Sequence, residues 1–188
     1  MSRDRKEQIL AAAYEIAGNK GLENLHARTI AAELGINHAA IHYYYKTRGD
    51  LLAALAAYAG HRFSGDLQRV TANRPTATQR LEAHIALYEA YARPASRFFR
   101  VMAALFVASP ADAKIKSELA KVNDEQVRLL KDDLQAAMSD GGVNAQSPYA
   151  HSESLLAYLM GLCYRSQMSP TLDSTPMIDQ LFASLFRK

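Results

Sequence analysis

His26–Leu52, HARTIAAELGINHAAIHYYYKTRGDLL, is the stretch on which the reading of the whole chain turns. Ile30, Ala31 and Leu34 recur at helical spacing, which predicts a two-turn helix over Ala27–Leu34. Gly35 tolerates the left-handed conformation that closes a helix, and Asn37 can accept from the first free N–H groups of the next one. A second helix is therefore expected to start near His38. Its apolar side is Ile41, Tyr44 and Tyr45, which leaves His38, Ala39, His42 and Tyr43 on the other side. Two short helices joined by a tight glycine-containing turn form a helix-turn-helix, whose second helix enters the major groove of DNA.

The residue types suit that task. Ala39 and Ala40 let the helix approach the groove floor, while His38, His42 and Tyr43 bring hydrogen-bonding groups to phosphates or base edges. Thr47 with Asp50 three residues on is a capping box that starts a further helix, and Lys46 and Arg48 stand at its positive end, where an anion is favoured.

In these residues the segment resembles the N-terminal domain of the TetR family of transcriptional regulators. Gly21, Leu22, Ile30, Ala31, Leu34, Gly35, Ile36, Ile41, Tyr44 and Leu51 match the family pattern in register. His26 stands where the family usually has a phosphate-contacting Thr, His42 where it has a phosphate-contacting Tyr, Arg48 where it has a Lys, and Tyr45 where it has a buried Phe. The resemblance implies phosphate contacts from Arg28, His42, Tyr44, Lys46 and Arg48, and base reading from His38, Ala39, Ala40 and Tyr43 behind the Asn37 cap.

Composition is compatible but not decisive. A hydrophobic content of 49% excludes a disordered chain, and nine Gly and six Pro among 188 residues, without sustained alternation, read as all-α. Residues 1–50 hold seven Lys/Arg against six Asp/Glu, so the head is no basic block, and DNA binding rests on motif order rather than charge. The single Cys163 excludes an intrachain disulfide and fits a reducing compartment. The polar start MSRDRKEQ does not resemble a secretion signal, and a soluble cytoplasmic protein without membrane spans is expected.

Outward from the central stretch, Ser2–Asn19 reads as a first helix with Ile9, Leu10, Ala13, Ile16 and Ala17 inward and Gly18 and Gly21 marking its end. Arg3, Arg5 and Lys6 at its start can lie along a phosphate backbone or simply be solvated. From Thr47 a long helix to about Thr71 reads as a connector between a head, residues 1–50, and a ligand-binding and dimerisation body, residues 51–188. Shifting its far end would change the spacing of two recognition helices. Thr76–Ala92 is interrupted by Arg93-Pro94. Ser96–Ala108 is apolar on nearly every side and is expected inside the body. Pro110–Met138 is amphipathic, and an irregular polar loop runs through Pro148.

Tyr149–Met168 contains LLAYLMGLCY, apolar around its whole circumference, and the final helix carries Met177, Ile178, Leu181, Phe182, Leu185 and Phe186 at helical spacing. The family resemblance implies a four-helix bundle between two subunits, with Leu156, Leu159, Cys163, Ile178, Leu181, Phe182 and Leu185 as the homodimer interface; the alternative is packing of the same stripe on its own body. The resemblance also implies a cavity for an apolar or aromatic effector, with Tyr88, Tyr91, Phe98, Met102, Phe106, Tyr158 and Tyr164 as candidate lining. Arg97, Arg100 and Arg165 could pair with a ligand carboxylate or serve in ordinary ion pairs.

His38 and His42 stand at i, i+4, but HAAIH brings no further metal ligand, so no metal or other cofactor is expected. No catalytic triad, phosphate loop or paired carboxylate stands out, and the chain reads as a non-enzyme. The expected function is a ligand-responsive, DNA-binding transcriptional regulator, a repressor on a palindromic operator. The rival is a helical small-molecule-binding or scaffold protein without DNA binding.

Overall fold

The computed structural model describes residues 2–93, 96–143, 147–169 and 171–186, with side chains from Asp4 onward. The Arg3 side chain, Pro94 and residues 144–146 of the expected loop lie outside the described residues. Nine α-helices occur among those described: α1 (Ser2–Lys20), α2 (Ala27–Leu34), α3 (His38–Tyr44), α4 (Arg48–Thr71), α5 (Ala77–Ala92), α6 (Arg97–Ala108), α7 (Ala113–Ser139), α8 (Pro148–Met168) and α9 (Thr175–Leu185). Short 3-10 turns at Leu22–Asn24 and Ser109–Ala111 precede α2 and α7. The all-α reading holds. The residues at the starts of α5 and α6 show why these helices begin there: Thr76 accepts from Gln79 N at 3.2 Å and Ser96 from Phe99 N at 3.3 Å. Pro148, read as loop, opens α8 at a position where its missing N–H costs nothing.

The chain divides into two compact units, Met1–Arg62 with Ser96–Val122, and Phe63–Ala95 with Asn123–Lys188; α4 and α7 contribute residues to both. In the first unit, Ile9, Ala13, Ile16 and Ala17 of α1 meet Leu22, Leu25, Ile30, Ile41 and Tyr45 in a closed core. Gly18 does not end α1. A Cβ there would lie 2.9 Å from Arg97 Cβ, so the missing side chain is what lets α6 approach α1 closely.

This corrects the expectation for Ser96–Ala108. α6 packs on α1 within the first unit with Phe98, Phe99, Val101 and Leu105 buried, while Phe106 is 72% and Val107 79% exposed. Apolarity around a helix announces low hydration, but it does not say which side a neighbour covers. The Arg97 stem lies over Gly18, and its guanidinium pairs with Glu15 at 3.3 Å and Asn19 at 3.0 Å of the same helix α1.

In the second unit α5 packs on α8, and the interior is Leu81, Ile85, Tyr88, Leu130, Leu134, Leu155, Leu159, Leu162 and Ile178. The α7–α8 turn is tied back by Ala77 N donating to Asp140 Oδ2 at 3.3 Å and by a bridge between Val143 and Phe186. No helix among the described residues is long and apolar enough to cross a membrane.

Candidate functional site

The turn between α2 and α3 is built as its sequence requires. Gly35 has φ 63° and ψ 34°, the left-handed conformation that costs a side-chain-bearing residue strain, and Ile36 N then bonds Ala31 O at 3.0 Å. Asn37 Oδ1 accepts from Ala39 N at 2.9 Å, which starts α3. Ile41 is buried, Tyr44 half-buried, and His38, Ala39, His42 and Tyr43 face solvent, Tyr43 at 71% exposure. Lys46 Nζ lies 5.6 Å above the Tyr43 ring, so the two form an outward-facing cationic and aromatic pair. The Tyr45 hydroxyl, pressed into the core, has its pKa raised by burial.

Beside α3 lies a groove of about 400 Å³. Its floor is Leu25, Ile41 and Leu51, and its polar walls include His26, Arg28, His38, His42 and Arg48, with no carboxylate among the lining residues. A concave surface of imidazole and guanidinium groups over an apolar floor is suited to a phosphate. Below it, Thr47 N bonds Asp50 Oδ2 at 2.9 Å and Asp50 N bonds Thr47 Oγ1 at 3.1 Å, completing the capping box. Lys114 Nζ sits 2.6 Å from Asp50 Oδ1 and, with Thr47, holds that carboxyl below its usual range.

Arg48 has a task that its sequence position does not announce. Its guanidinium donates to Leu25 O and Leu22 O, both at 2.6 Å, clamping the 3-10 turn to the start of α4. Thr29 does the same more locally: its Oγ1 accepts from His26 N at 3.0 Å and donates to Asn24 O at 2.8 Å. The Arg48 link could not be read from spacing, because it depends on where the turn after α1 lands.

The candidate effector residues are divided between the two units. Phe98 and Met102 belong to the first unit, where Phe106 is exposed; Tyr88 and Tyr91 belong to the second, where Tyr158 and Tyr164 face solvent. Tyr158 instead donates to Met177 O at 3.0 Å. What the second unit does gather is an aromatic and polar cluster: Phe63 lies 4.9 Å from Tyr88, 5.7 Å from Tyr91 and 6.0 Å from His84. His84 and Gln126 of this cluster are buried and carried no signal in sequence beyond their positions on helices. The candidate interface residues lie on α8 and α9. Leu156, Leu159, Cys163, Ile178 and Leu185 are buried within the unit and Leu181 and Phe182 half-buried, because α8 turns its larger aliphatic side chains toward α5. Exposed on α8, from Glu153 onward, are Glu153, Ser154, Ala157, Tyr158, Met160, Gly161, Tyr164, Arg165 and Met168. Burial pushes the Cys163 thiol up to about 12, which keeps it unreactive.

Residues 9–55 match the family model described as bacterial regulatory proteins, tetR family. Several solved structures share the fold over nearly the whole chain. A TetR-family regulator from Rhodococcus sp. is 20% identical, with 93% of this chain and 92% of that one covered at a TM-score of 0.78. A regulator from Saccharomonospora viridis, in complex with choline, is 18% identical with full coverage of both chains and a TM-score of 0.82. A TetR regulator from Haloarcula marismortui ATCC 43049 is 23% identical, covering 88% of this chain and 87% of that one, at 0.77. No curated protein matches the sequence.

Proposed function

From a chain that carries the TetR-family N-terminal domain on the TetR-regulator fold, we propose a ligand-responsive repressor that binds a palindromic operator as a homodimer. The observation that carries the reading is the face of α3: His38, Ala39, His42 and Tyr43 lie exposed together on a helix whose other face anchors it through Ile41. Base edges are read by His38, Ala39, Ala40 and Tyr43. Phosphates are held by Arg28, His42, Tyr44 and Lys46 around the basic groove. Arg48 acts chiefly as the clamp that fixes the turn beneath them, through the two bonds described above.

Residues 1–50 serve as the DNA-binding head and 51–188 as the effector and dimer part. The exposed apolar residues of α8, with small Ala157 and Gly161 between Met160, Tyr164 and Met168, are the strip a second copy would cover, isologously about a twofold axis. One similar regulator holds choline, which supports a small-molecule effector here. The role is non-enzymatic.

A gel shift on DNA flanking the chain's own gene, titrated with salt, tests the reading. Sequence-selective binding with two-site symmetry is expected, and Tyr43→Ala should alter preference among sequences. Absence of binding, or binding indifferent to sequence, would favour the scaffold alternative.

A further inference from the structure

Among the described residues, His84 Nε2 is the one buried side-chain polar atom without a hydrogen-bond partner on the protein. The opposite ring nitrogen is engaged: Nδ1 lies 2.7 Å from Asp133 Oδ2. A carboxylate only accepts, so Nδ1 carries the proton, and in the neutral ring Nε2 presents a lone pair. The ring is fully buried, stacked on Tyr88 at 5.8 Å and 14°, with Phe63 on another side.

Four helices build these surroundings within the second unit. The far end of α4 brings Phe63 and Asp66, α5 brings His84, Tyr88 and Tyr91, α7 brings Gln126 and Asp133, and α8 brings Cys163. Most of the polar groups are already matched. The Tyr88 hydroxyl donates to Gln126 Oε1 at 3.3 Å, the Tyr91 hydroxyl to Asp66, and Arg69 pairs with Asp66 at 2.8 Å. The cluster reaches solvent at its carboxylates, with the Asp133 side chain 22% and that of Asp66 24% exposed.

We propose that this cluster is the effector site, and that the effector is a neutral small aromatic alcohol of the phenol class. Its O–H donates to His84 Nε2 and its ring packs among Phe63, Tyr88 and Tyr91. The proposal rests on the ligand-responsive reading above. An anion would meet two carboxylates here, and a cation would find both carboxylates already engaged by His84, Tyr91 and Arg69. A neutral donor is what the site lacks. A site built around one buried acceptor rejects an analogue without the donor proton, since the acceptor is then left dry and unpaired. The rings now touch one another, so entry parts them; Tyr91, half-buried at the rim and tethered through its hydroxyl to Asp66, is the ring that turns.

The test uses the full chain without DNA. Phenol, anisole and benzylammonium are titrated by calorimetry, with the imidazole ¹⁵N resonances of His84 followed by NMR. Phenol is expected to bind about ten-fold more tightly than anisole and to shift the Nε2 resonance, and His84→Phe to erase the difference. Equal affinity for phenol and anisole, an unmoved Nε2, or tighter binding of benzylammonium would each overturn the proposal. The wild-type comparison needs no variant to fold. Failure here leaves operator binding standing, and failure of the gel shift leaves this measurement standing.

Discussion

The two units use the same residue types in opposite ways. On α3, His38, His42 and Tyr43 are exposed and, among the described residues, make ring contacts only with neighbours on or next to their own helix; on α5, His84, Tyr88 and Tyr91 face inward and are fixed by one another and by Asp133, Gln126 and Asp66. An exposed side chain can change with little loss of stability, and one held by buried partners cannot. Recognition chemistry therefore tolerates variation in the first place and resists it in the second.

The sharpest way to break that contrast is a pair of truncations. Tyr88→Ala should destabilise the chain by about 3 to 5 kcal/mol, the range for emptying a buried aromatic site, whereas Tyr43→Ala should stay within about 0.5 kcal/mol. Urea denaturation measures both, and similar values would show that α3 is packed more tightly than its exposure implies.

Arg48→Ala comes next, at about 1.5 to 3 kcal/mol for two charge-assisted bonds to carbonyls. It also separates clamp from phosphate contact: operator affinity should drop with its salt dependence unchanged, whereas loss of a phosphate contact would reduce the log–log slope by about 1. Gly35→Ala, forced to keep φ at 63°, should cost about 1 to 2 kcal/mol in thermal melting, and recognition should weaken with it because α3 is aimed by that turn.

The smallest effect belongs to the exposed pair of Asp50 and Lys114. Hydrogen bonds from Lys114 and Thr47 lower the Asp50 pKa from 3.8 in the folded state, so its contribution is present at neutral pH and fades as pH falls below that value toward the folded pKa. Lys114→Met should flatten stability against pH in this acid window and leave it little changed at pH 7.

The head was legible because its signals are local. Gly35, Asn37 and the Thr47–Asp50 box each act within three or four residues, and periodicity alone separated the buried Ile41 from the exposed His42 and Tyr43. The partners of Arg48, Leu22 and Leu25, are 26 and 23 residues away, and no spacing rule reaches that far. What α6 and α8 left open in sequence shares a cause. Their sequences are apolar on all sides, so periodicity could not say which face meets a neighbour; Gly18 opposite Arg97 decides it for α6, and contact with α5 decides it for α8. The His84–Asp133 pair was invisible for a related reason, since two polar residues on separate helices look like two solvated ones until the helices meet.

The close approach of α6 to α1 at Gly18 bears on how this gene can be cut and rejoined. A fragment ending at Arg62 would keep the whole helix-turn-helix yet bare the side of α1 that α6 covers, and a chimera grafting that fragment onto another body would inherit an open seam. The transplantable piece is discontinuous in sequence: residues 1–62 travel with 96–122 or arrive incomplete.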